Sequence, residues 1–171
     1  MSHLQLRDSF RPHPFASAET SIDLYHVYDN LSQTPYITEI GLQCADPDEY
    51  VMEAWHVITG RAIRRHLDWS NRNRTQFISF FDNLETAMAE KARRIQQINV
   101  PGGGERNPQT VCVAMVRLRP GTNVWSFSKQ ELLTMMQTVG ESAQDINTTM
   151  DRSEWLVWGS VPDSCVVNHD I

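Results

Sequence analysis

One segment, the apolar run VCVAMVRL at residues 111–118, constrains the fold more than any other part of the sequence. Its valines favour extended backbone, and its continuous apolar character predicts a strand that is buried on both faces, at the centre of a sheet. Further segments of similar character supply candidate partner strands: IDLYHVYD (22–29), TQFISFF (75–81), NVWSF (123–127), EWLVWG (154–159) and SCVVN (164–168). The fold must therefore be built around a β-sheet.

Helix signals lie between these strands in an irregular order. Each predicted helix begins with an N-capping residue that is followed three positions later by a glutamate: Asp46 and Glu49, Asp82 and Glu85, Ser128 and Glu131. Apolar residues at helical spacing predict the buried faces of the first two helices: Val51, Trp55, Ile58 and Ala62, then Leu84, Met88, Ala92 and Ile95. Strands and about three helices that do not alternate regularly predict an α+β fold.

The length of 171 residues suits one domain with a sizeable core. Hydrophobic residues make up 40% and charged residues 21%, and this globular composition argues against a disordered chain. Pro12 and Pro14 interrupt any regular pattern, so we predict a loose N-terminal arm at residues 1–21 and a single domain at 22–171. The glycine-rich segment at 101–109 is expected to be a loop, because the Lys-Ser or Lys-Thr pair of a phosphate-binding loop does not follow it.

Charge and cysteine content exclude several function classes. The net charge of -6 gives no general attraction to nucleic-acid backbones or anionic lipids, and the basic residues within 61–74 and 91–94 are expected to be solvated helix faces. The three cysteines argue against a disulfide framework or a zinc site, and we expect no metal. The chain shows neither a signal peptide nor an apolar stretch long enough for a membrane span, so an intracellular location, cytoplasmic or nuclear, without membrane association is expected.

Three polar residues stand in or beside otherwise apolar strands, and they are the candidates for chemistry. His26 lies in LYHVYD, Ser79 lies in FISFF, and Glu154 opens EWLVWG. A lone histidine or serine in a strand is commonly a structural residue, and a glutamate can lie at the exposed end of its strand. A carboxylate beside Trp-Leu-Val-Trp is more unusual, because burying it requires compensation. Each residue taken alone favours a structural role.

Taken together and in order, these segments resemble the ADP-ribosyltransferase superfamily, in particular the branch that contains cholera toxin, heat-labile enterotoxin and pierisin. That branch has a Leu-Tyr-Arg strand, an irregular segment ending in Gly-Leu, a Ser-Thr-Ser strand before an alanine-rich helix, and a Glu-x-Glu strand before Gly-Gly-Ile-Pro. The matching segments are Leu24-Tyr25-His26, Gly41-Leu42, Phe77 to Phe81 with the helix that follows, and Glu154 to Pro162. The resemblance extends over residues 22–168.

The resemblance implies split antiparallel β-sheets around a cleft that holds NAD, and no metal. His26 replaces the family arginine and is similar to the histidine of the diphtheria-toxin and poly-ADP-ribose-polymerase branch, which contacts the NAD ribose. Tyr25 lies beside it at the cofactor. Ser79 corresponds to the first serine of Ser-Thr-Ser and would brace Glu154, the catalytic glutamate, while Phe81 would stack on nicotinamide. If these assignments hold, His26, Ser79 and Glu154 converge on one cleft.

The segment before the catalytic strand is where the resemblance implies acceptor binding. Arg152 stands at the first glutamate of Glu-x-Glu, which in the family helps to activate an acceptor, particularly arginine. Its replacement argues against arginine modification and leaves Glu154 intact. Arg152 and Asp151 are assigned to an acceptor loop for a protein or nucleic-acid partner. Residues 139–153 are polar and lack apolar periodicity, so we expect this loop to be mobile or poorly packed.

The leading hypothesis is an NAD-dependent, toxin-like ADP-ribosyltransferase (a glycosyltransferase) or an NAD glycohydrolase. Its Glu154 would stabilise the oxocarbenium-like ribose as the nicotinamide bond breaks. A catalytically inactive binding module of the same fold is an alternative, because the family residues at positions 26, 80, 81 and 152 are replaced. A third hypothesis is an RNA 2′-phosphotransferase-like enzyme that uses His26, His66 and the Arg64–Arg65 pair, which the acidic net charge disfavours.

Overall fold

The computed structural model describes residues 20–45, 63, 66–67, 75, 77–98, 108–122, 124–138 and 142–171. These residues form nine strands and three complete helices, which confirms the predicted α+β fold with two antiparallel sheets. The strands are β1 (Ile22–Tyr28), β2 (Tyr36–Ile37), β3 (Gly41–Gln43), β4 (Phe77–Phe81), β5 (Cys112–Leu118), β6 (Trp125–Ser128), β7 (Glu154–Trp158), β8 (Ser160–Pro162) and β9 (Val166–Asn168). The helices are α1 (Leu84–Ile98), α2 (Lys129–Thr138) and α3 (Gln144–Thr149).

Two of the predicted segments lie largely outside the described residues. They are the N-terminal arm at 1–21 and the helix predicted to begin at Asp46. At the far end of that helix, Ile63, His66 and Leu67 are helical. Ile63 and Leu67 are buried in the same hydrophobic cluster as Phe77 of β4, so this end of the segment packs on the sheet.

The larger sheet has six strands in the order β6-β7-β4-β1-β5-β9, and all neighbouring strands are antiparallel. The six strands predicted from the sequence are the strands of this sheet. As predicted from its continuous apolar run, β5 lies inside the sheet, between β1 and β9. Its residues Val113, Ala114, Val116 and Leu118 are fully buried.

The larger sheet opens between β1 and β4. β1 pairs with β5 along its whole length, Ile22 to Tyr28, and β4 pairs with β7 along its whole length, Phe77 to Phe81. Between β1 and β4 the register contains one pair, Tyr25 with Phe81. The two strands therefore part beyond that pair, where no further backbone pair joins β1 to β4.

The two faces of the larger sheet are covered differently. Side chains alternate along β4, so that Phe77 packs with α2 and α3 on one face whereas Ile78 and Phe80 pack on the other. The second face is covered by the smaller sheet, through Leu42 of β3 and Val161 of β8. Helices on one face and a second sheet on the other give the domain two hydrophobic layers.

The smaller sheet has the order β2-β3-β8, and its individual strands were not predicted from the sequence. Its close contact between β3 and β8 requires Gly41, which adopts a positive φ of 99°. A Cβ atom at this position would lie 2.2 Å from the carbonyl oxygen of Val161. The Gly-Leu motif at 41–42 thus has a local structural reason, since no other residue fits against β8.

Helix α1 begins as an N-capped helix, but both its cap and its buried face differ from the prediction. The amide of Thr86 donates to Oδ1 of Asn83 at 2.8 Å, so Asn83 rather than Asp82 is the N-cap. The predicted apolar stripe is wrong at Leu84 and Met88, which are 40% and 38% exposed, whereas Ala87 is buried and Ile95 packs beside it as predicted. The first part of the helix turns a partly charged face toward a cleft and leaves Leu84 and Met88 outside, whereas Ile95 and Ile98 pack against the cluster that contains Ala87.

The prediction of a mobile or poorly packed loop at residues 139–153 is wrong for the described part of this segment. Its described part, from residue 142, contains α3, and Ile146 and Met150 are buried in the cluster that includes Trp158. Lys129 Nζ donates to the carbonyl oxygens of Asn147 and Met150 at 2.9 and 2.8 Å and so fixes the end of this helix. Two apolar residues at an i, i+4 spacing are enough to pack one turn, although they are too few to reveal a periodic pattern.

Candidate active site

A cleft of about 530 Å³ opens where β1 and β4 part. Its volume lies within the range of small-molecule sites. Strands β1, β4 and β7 form one wall, α1 forms another, and the segment that leads into β7 closes one end. The titratable and hydroxyl-bearing side chains of the wall include His26, His66, Ser79, Glu90, Arg93, Arg94, Asp151 and Glu154. The cleft thus brings together His26, Ser79 and Glu154, the three residues expected to converge.

Glu154 is the first residue of β7 and pairs with Phe81 of β4. Ser79 pairs two residues further along β7, so its side chain lies on the same face as that of Glu154. Burial raises the pKa of the Glu154 carboxyl to about 7, and repulsion from Asp151 and Glu90 adds to this effect. The amide of Asp151, 3.3 Å from Oε2, and the hydroxyl of Ser79 act in the opposite direction by hydrogen bonding. Glu154 therefore changes charge near neutral pH.

His66 approaches Ser79 from the helical segment that precedes β4. Its Nε2 lies 2.8 Å from Oγ of Ser79, and its Nδ1 lies 2.6 Å from Oγ1 of Thr75. Burial and, to a smaller extent, the facing His26 together lower the pKa of His66 to about 4, so the ring is neutral at neutral pH. From the sequence, His66 was a candidate only in the phosphotransferase hypothesis, and the accompanying Arg64 and Arg65 lie outside the described residues. Its position, four residues after Ala62 on the predicted apolar face, was the signal for a buried histidine.

His26 is held by main-chain oxygens. Its Nδ1 lies 2.8 Å from the carbonyl oxygen of Ser79, and its Nε2 lies 2.8 Å from that of Thr34. The ring packs against Phe80, and the residue is 8% exposed. Burial lowers the pKa of His26, although the two carbonyls act to raise it. A neutral ring has one N–H and donates to one of the two carbonyls. With the proton on Nδ1, His26 donates to Ser79 and holds β1 to β4 beyond their last backbone pair.

The wall formed by α1 carries a network of charges. Glu90 accepts hydrogen bonds from Nε and Nη2 of Arg93, both at 2.7 Å, and from Nε of Arg94 at 3.0 Å. Arg94 Nη1 also lies 3.7 Å from the buried carboxylate of Asp29. Although burial acts to raise it, the hydrogen bonds from both arginines lower the pKa of Glu90, which remains ionised. Arg94, with a side chain 23% exposed, is less solvated than predicted because it lies between Glu90 and Asp29, whereas the 41% exposed side chain of Arg93 agrees with a solvated face.

The remaining candidate residues divide between the cleft and its surroundings. Phe81 and Asp151 line the cleft. Tyr25, assigned to the cofactor, packs beside Phe81 in a hydrophobic cluster with Val27 and is not among the residues of the cleft wall. Arg152 is exposed and also lies off the wall. The structure therefore separates the two residues of the predicted acceptor pair, Asp151 inside and Arg152 outside.

Other features of the described residues bear on cofactors and membranes. Within the described ranges, no cluster of histidine, cysteine, aspartate and glutamate has the composition of a metal site. No disulfide joins Cys44, Cys112 and Cys165. None of the helices in the described part of the chain has the length and hydrophobicity that a transmembrane span requires.

Comparison with known families identifies one match, the domain of unknown function DUF7587, over residues 19–171. Comparison with curated proteins gave no match, and neither did comparison with solved structures. The family description names no activity, so the function has to be argued from the chemistry of the cleft.

Proposed function

We propose that this chain, which belongs to the DUF7587 family, cleaves the bond between nicotinamide and ribose in NAD. With a protein or nucleic-acid acceptor it would act as an ADP-ribosyltransferase, and with water as an NAD glycohydrolase. The observation that carries the proposal is the position of Glu154: a partly buried carboxyl in the wall of a cleft of about 530 Å³, which accepts hydrogen bonds from the hydroxyl of Ser79 and the amide of Asp151.

The bond that breaks explains why one carboxylate is sufficient. The electron pair of the C–N bond leaves with nicotinamide, which becomes neutral, and positive charge develops on the ribose. An ionised Glu154 would hold the ribose 2′-hydroxyl and stabilise this charge, a stabilisation that is greatest in the transition state. The acceptor oxygen or nitrogen then bonds to the ribose carbon and loses its proton. Only the ionised carboxylate supports this step, so Glu154 must be deprotonated.

The neighbours of Glu154 fit this role. Ser79 and the Asp151 amide hold the carboxylate in one orientation, and reactions of this kind depend strongly on such positioning. Phe81, the cross-strand partner of Glu154, would present its ring to nicotinamide. Asp151 at the end of the cleft is placed to meet an acceptor. The small molecules consumed would be NAD and, in glycohydrolysis, water, and no step requires a metal.

A second candidate function is a binding module that keeps the cleft but does not cleave NAD. One observation favours it: both ring nitrogens of His26 lie against main-chain carbonyls. A histidine held in this way has no nitrogen left to bind a ribose, so the role that the family resemblance gives to His26 would have to pass to other groups. The carboxylate chemistry does not depend on His26, which is why cleavage remains the leading proposal.

Release of nicotinamide from NAD tests the proposal, with Glu154→Gln as the variant and Arg152→Ala as the matched control two residues away. Glutamine keeps the size and one acceptor oxygen but loses the charge. We expect kcat to fall roughly a hundredfold to a thousandfold with a smaller change in KM, as for other electrostatic groups of this kind. Arg152→Ala should retain glycohydrolysis, because Arg152 is exposed and lies off the cleft wall.

Two outcomes would contradict the proposal. Unchanged kcat in the Glu154→Gln protein would remove Glu154 from the reaction. Absence of nicotinamide release from the unsubstituted chain, with water and with candidate acceptors, would favour the binding module. Calorimetric titration with NAD would then show whether the cleft binds the dinucleotide without breaking it.

A further inference from the structure

A continuous series of hydrogen-bonding groups leads to Glu154 from the interior. Thr75 Oγ1 lies 3.5 Å from the carbonyl oxygen of Phe77 and 2.6 Å from Nδ1 of His66. Nε2 of His66 lies 2.8 Å from Oγ of Ser79. Ser79 lies on the same face of the sheet as Glu154, and its hydroxyl lowers the pKa of that carboxyl by hydrogen bonding. Every group between Phe77 and Glu154 is a hydroxyl or an imidazole, and each can either donate or accept.

When Glu154 is protonated, each hydrogen bond of the series is donated in the direction away from Glu154. The carboxyl O–H donates to Oγ of Ser79, and the Ser79 hydroxyl donates to Nε2 of His66. Because a neutral imidazole carries one proton, that proton is then on Nδ1 and is donated to Thr75. The hydroxyl of Thr75 in turn points toward the carbonyl of Phe77, which can only accept.

When Glu154 is ionised, each hydrogen bond of the series must be donated toward Glu154. A carboxylate only accepts, so the Ser79 hydroxyl donates to Glu154 and can no longer donate to His66. Nε2 of His66 must then carry the proton and donate to Ser79, and Nδ1 accepts from Thr75. Between the two states one proton leaves for solvent, and the other hydrogens are redistributed along the same contacts. The weak Thr75–Phe77 contact is the only one lost, so the reversal requires little rearrangement.

We infer that the ionisation of Glu154 and the tautomer of His66 are coupled through Ser79, and that His66 and Thr75 are positioning residues that set the charge of Glu154. The catalytic consequence rests on the proposed NAD cleavage, whereas the coupling itself depends only on the hydrogen bonds. In the proposed reaction, the active form would be the one with the proton on Nε2 of His66.

Other charged groups face the same residues without determining the tautomer. Glu90 on α1 and Asp151 before β7 repel the carboxylate of Glu154 and favour its protonated form. Arg93 and Arg94 line the cleft and are paired with Glu90, and His26 faces His66. These groups move the midpoint of the titration. They do not bond to the nitrogens of His66, so they cannot reverse its tautomer.

Nuclear magnetic resonance tests the coupling without NAD. The ring ¹⁵N shifts of His66 distinguish the two tautomers, and the carboxyl ¹³C shift of Glu154 reports its ionisation. Between about pH 5 and about pH 8.5, His66 stays neutral and Glu154 titrates. We expect the proton to move from Nδ1 to Nε2 with the same midpoint as Glu154, and the change to be absent in Glu154→Gln. A His66 tautomer that stays constant while Glu154 titrates would overturn the inference.

Substitution of Thr75 gives a second test with a predicted direction. Thr75→Val leaves the Nδ1–H of the protonated state without an acceptor, and a buried unpaired N–H is less tolerated than an unpaired acceptor. The variant should therefore favour ionisation and lower the midpoint of Glu154 by roughly 0.5–1 pH unit. Thr75→Ser keeps the hydroxyl and should leave the midpoint unchanged. Equal shifts in both variants would contradict the coupling, and the titration of the unsubstituted chain decides the question if Thr75→Val does not fold.

The failure of this inference differs from failure of the proposed function. An intact coupling without nicotinamide release would mean that the device exists but serves another purpose. Nicotinamide release with an unchanging His66 tautomer would mean that Glu154 acts without it.

Discussion

Two histidines meet Ser79 from opposite sides, and their partners differ. His26 lies on the β1 side, with both nitrogens against the carbonyl oxygens of Ser79 and Thr34. His66 lies on the β4 and β7 side, with both nitrogens against the hydroxyls of Ser79 and Thr75. Both rings are neutral at neutral pH, because burial lowers the pKa of each.

The two histidines therefore respond differently when a charge in the cleft changes: the contacts of His26 stay the same, whereas those of His66 can change direction. A carbonyl oxygen only accepts, so the contacts of His26 cannot reverse when a neighbour changes charge. They fix the separation of β1 and β4 where backbone pairing has ended. Hydroxyls donate or accept, so the contacts of His66 can follow the charge of Glu154. The resemblance drew attention to His26, whereas the responsive ring is His66.

The largest effect on stability is expected at Glu154, on the responsive side. Its pKa is raised from 4.5 to about 7, so the folded protein binds this proton more tightly than the unfolded chain does. The free energy of unfolding therefore falls as the pH rises from the unfolded pKa of 4.5 through the folded pKa of about 7, and the total loss above pH 7 is about 3 kcal/mol. Glu154→Gln removes this loss and should raise the free energy of unfolding at about pH 8, with little change at about pH 4. Denaturant titrations at the two pH values measure the difference.

Asp151→Asn is the matched control for this prediction, because Asp151 has the opposite shift. Hydrogen bonds from the hydroxyl and amide of Ser153 lower the pKa of Asp151. Its contribution to stability is thus present above its unfolded pKa and is lost as the pH falls through its folded value. The asparagine variant should be less stable than the parent at neutral pH. A Glu154→Gln protein that is destabilised at about pH 8 would contradict the buried position of the carboxylate.

Alanine substitutions of the two histidines should lower the free energy of unfolding by different amounts. His26→Ala removes the packing of the ring against Phe80 and leaves one carbonyl oxygen without its donor, so the free energy of unfolding should fall by about 2–3 kcal/mol. His66→Ala should reduce it by about 1 kcal/mol, because the hydroxyls can find other partners. It should also lower the pKa of Glu154, since Ser79 is then free to donate to the carboxylate. Equal losses of stability with an unchanged Glu154 pKa would show that both histidines are merely structural.

Most of the larger sheet could be predicted from the sequence, and the reason is visible in its strands. Segments such as residues 111–118 are long, apolar and rich in valine, so their character does not depend on distant contacts. The smaller sheet has strands of two or three residues, too short to carry a period, and it depends on the approach of Gly41 to Val161. Helix α3 was missed because Ile146 and Met150 alone provide its buried face.

The candidate site was predicted in part. Ser79 and Glu154 stood out because each is a polar residue within an apolar strand, and the pairing of β4 with β7 brings them to one face. The contribution of His66 depends on a long-range contact that local pattern does not reveal. Glu90, Arg93 and Arg94 have the i, i+3 and i, i+4 spacings of ordinary surface ion pairs, and only the packing of α1 shows that they line the cleft.

The rate of nicotinamide release from NAD as a function of pH tests the central claim most directly, because it joins the cleft, the bond broken and the charge of Glu154. If the ionised carboxylate stabilises the ribose cation, kcat should rise about tenfold per pH unit below the Glu154 pKa of about 7 and become constant above it. Glu154→Gln should abolish this dependence together with most of the rate. No nicotinamide release at any pH, or a kcat that is constant through this range in the unsubstituted chain, would contradict the claim.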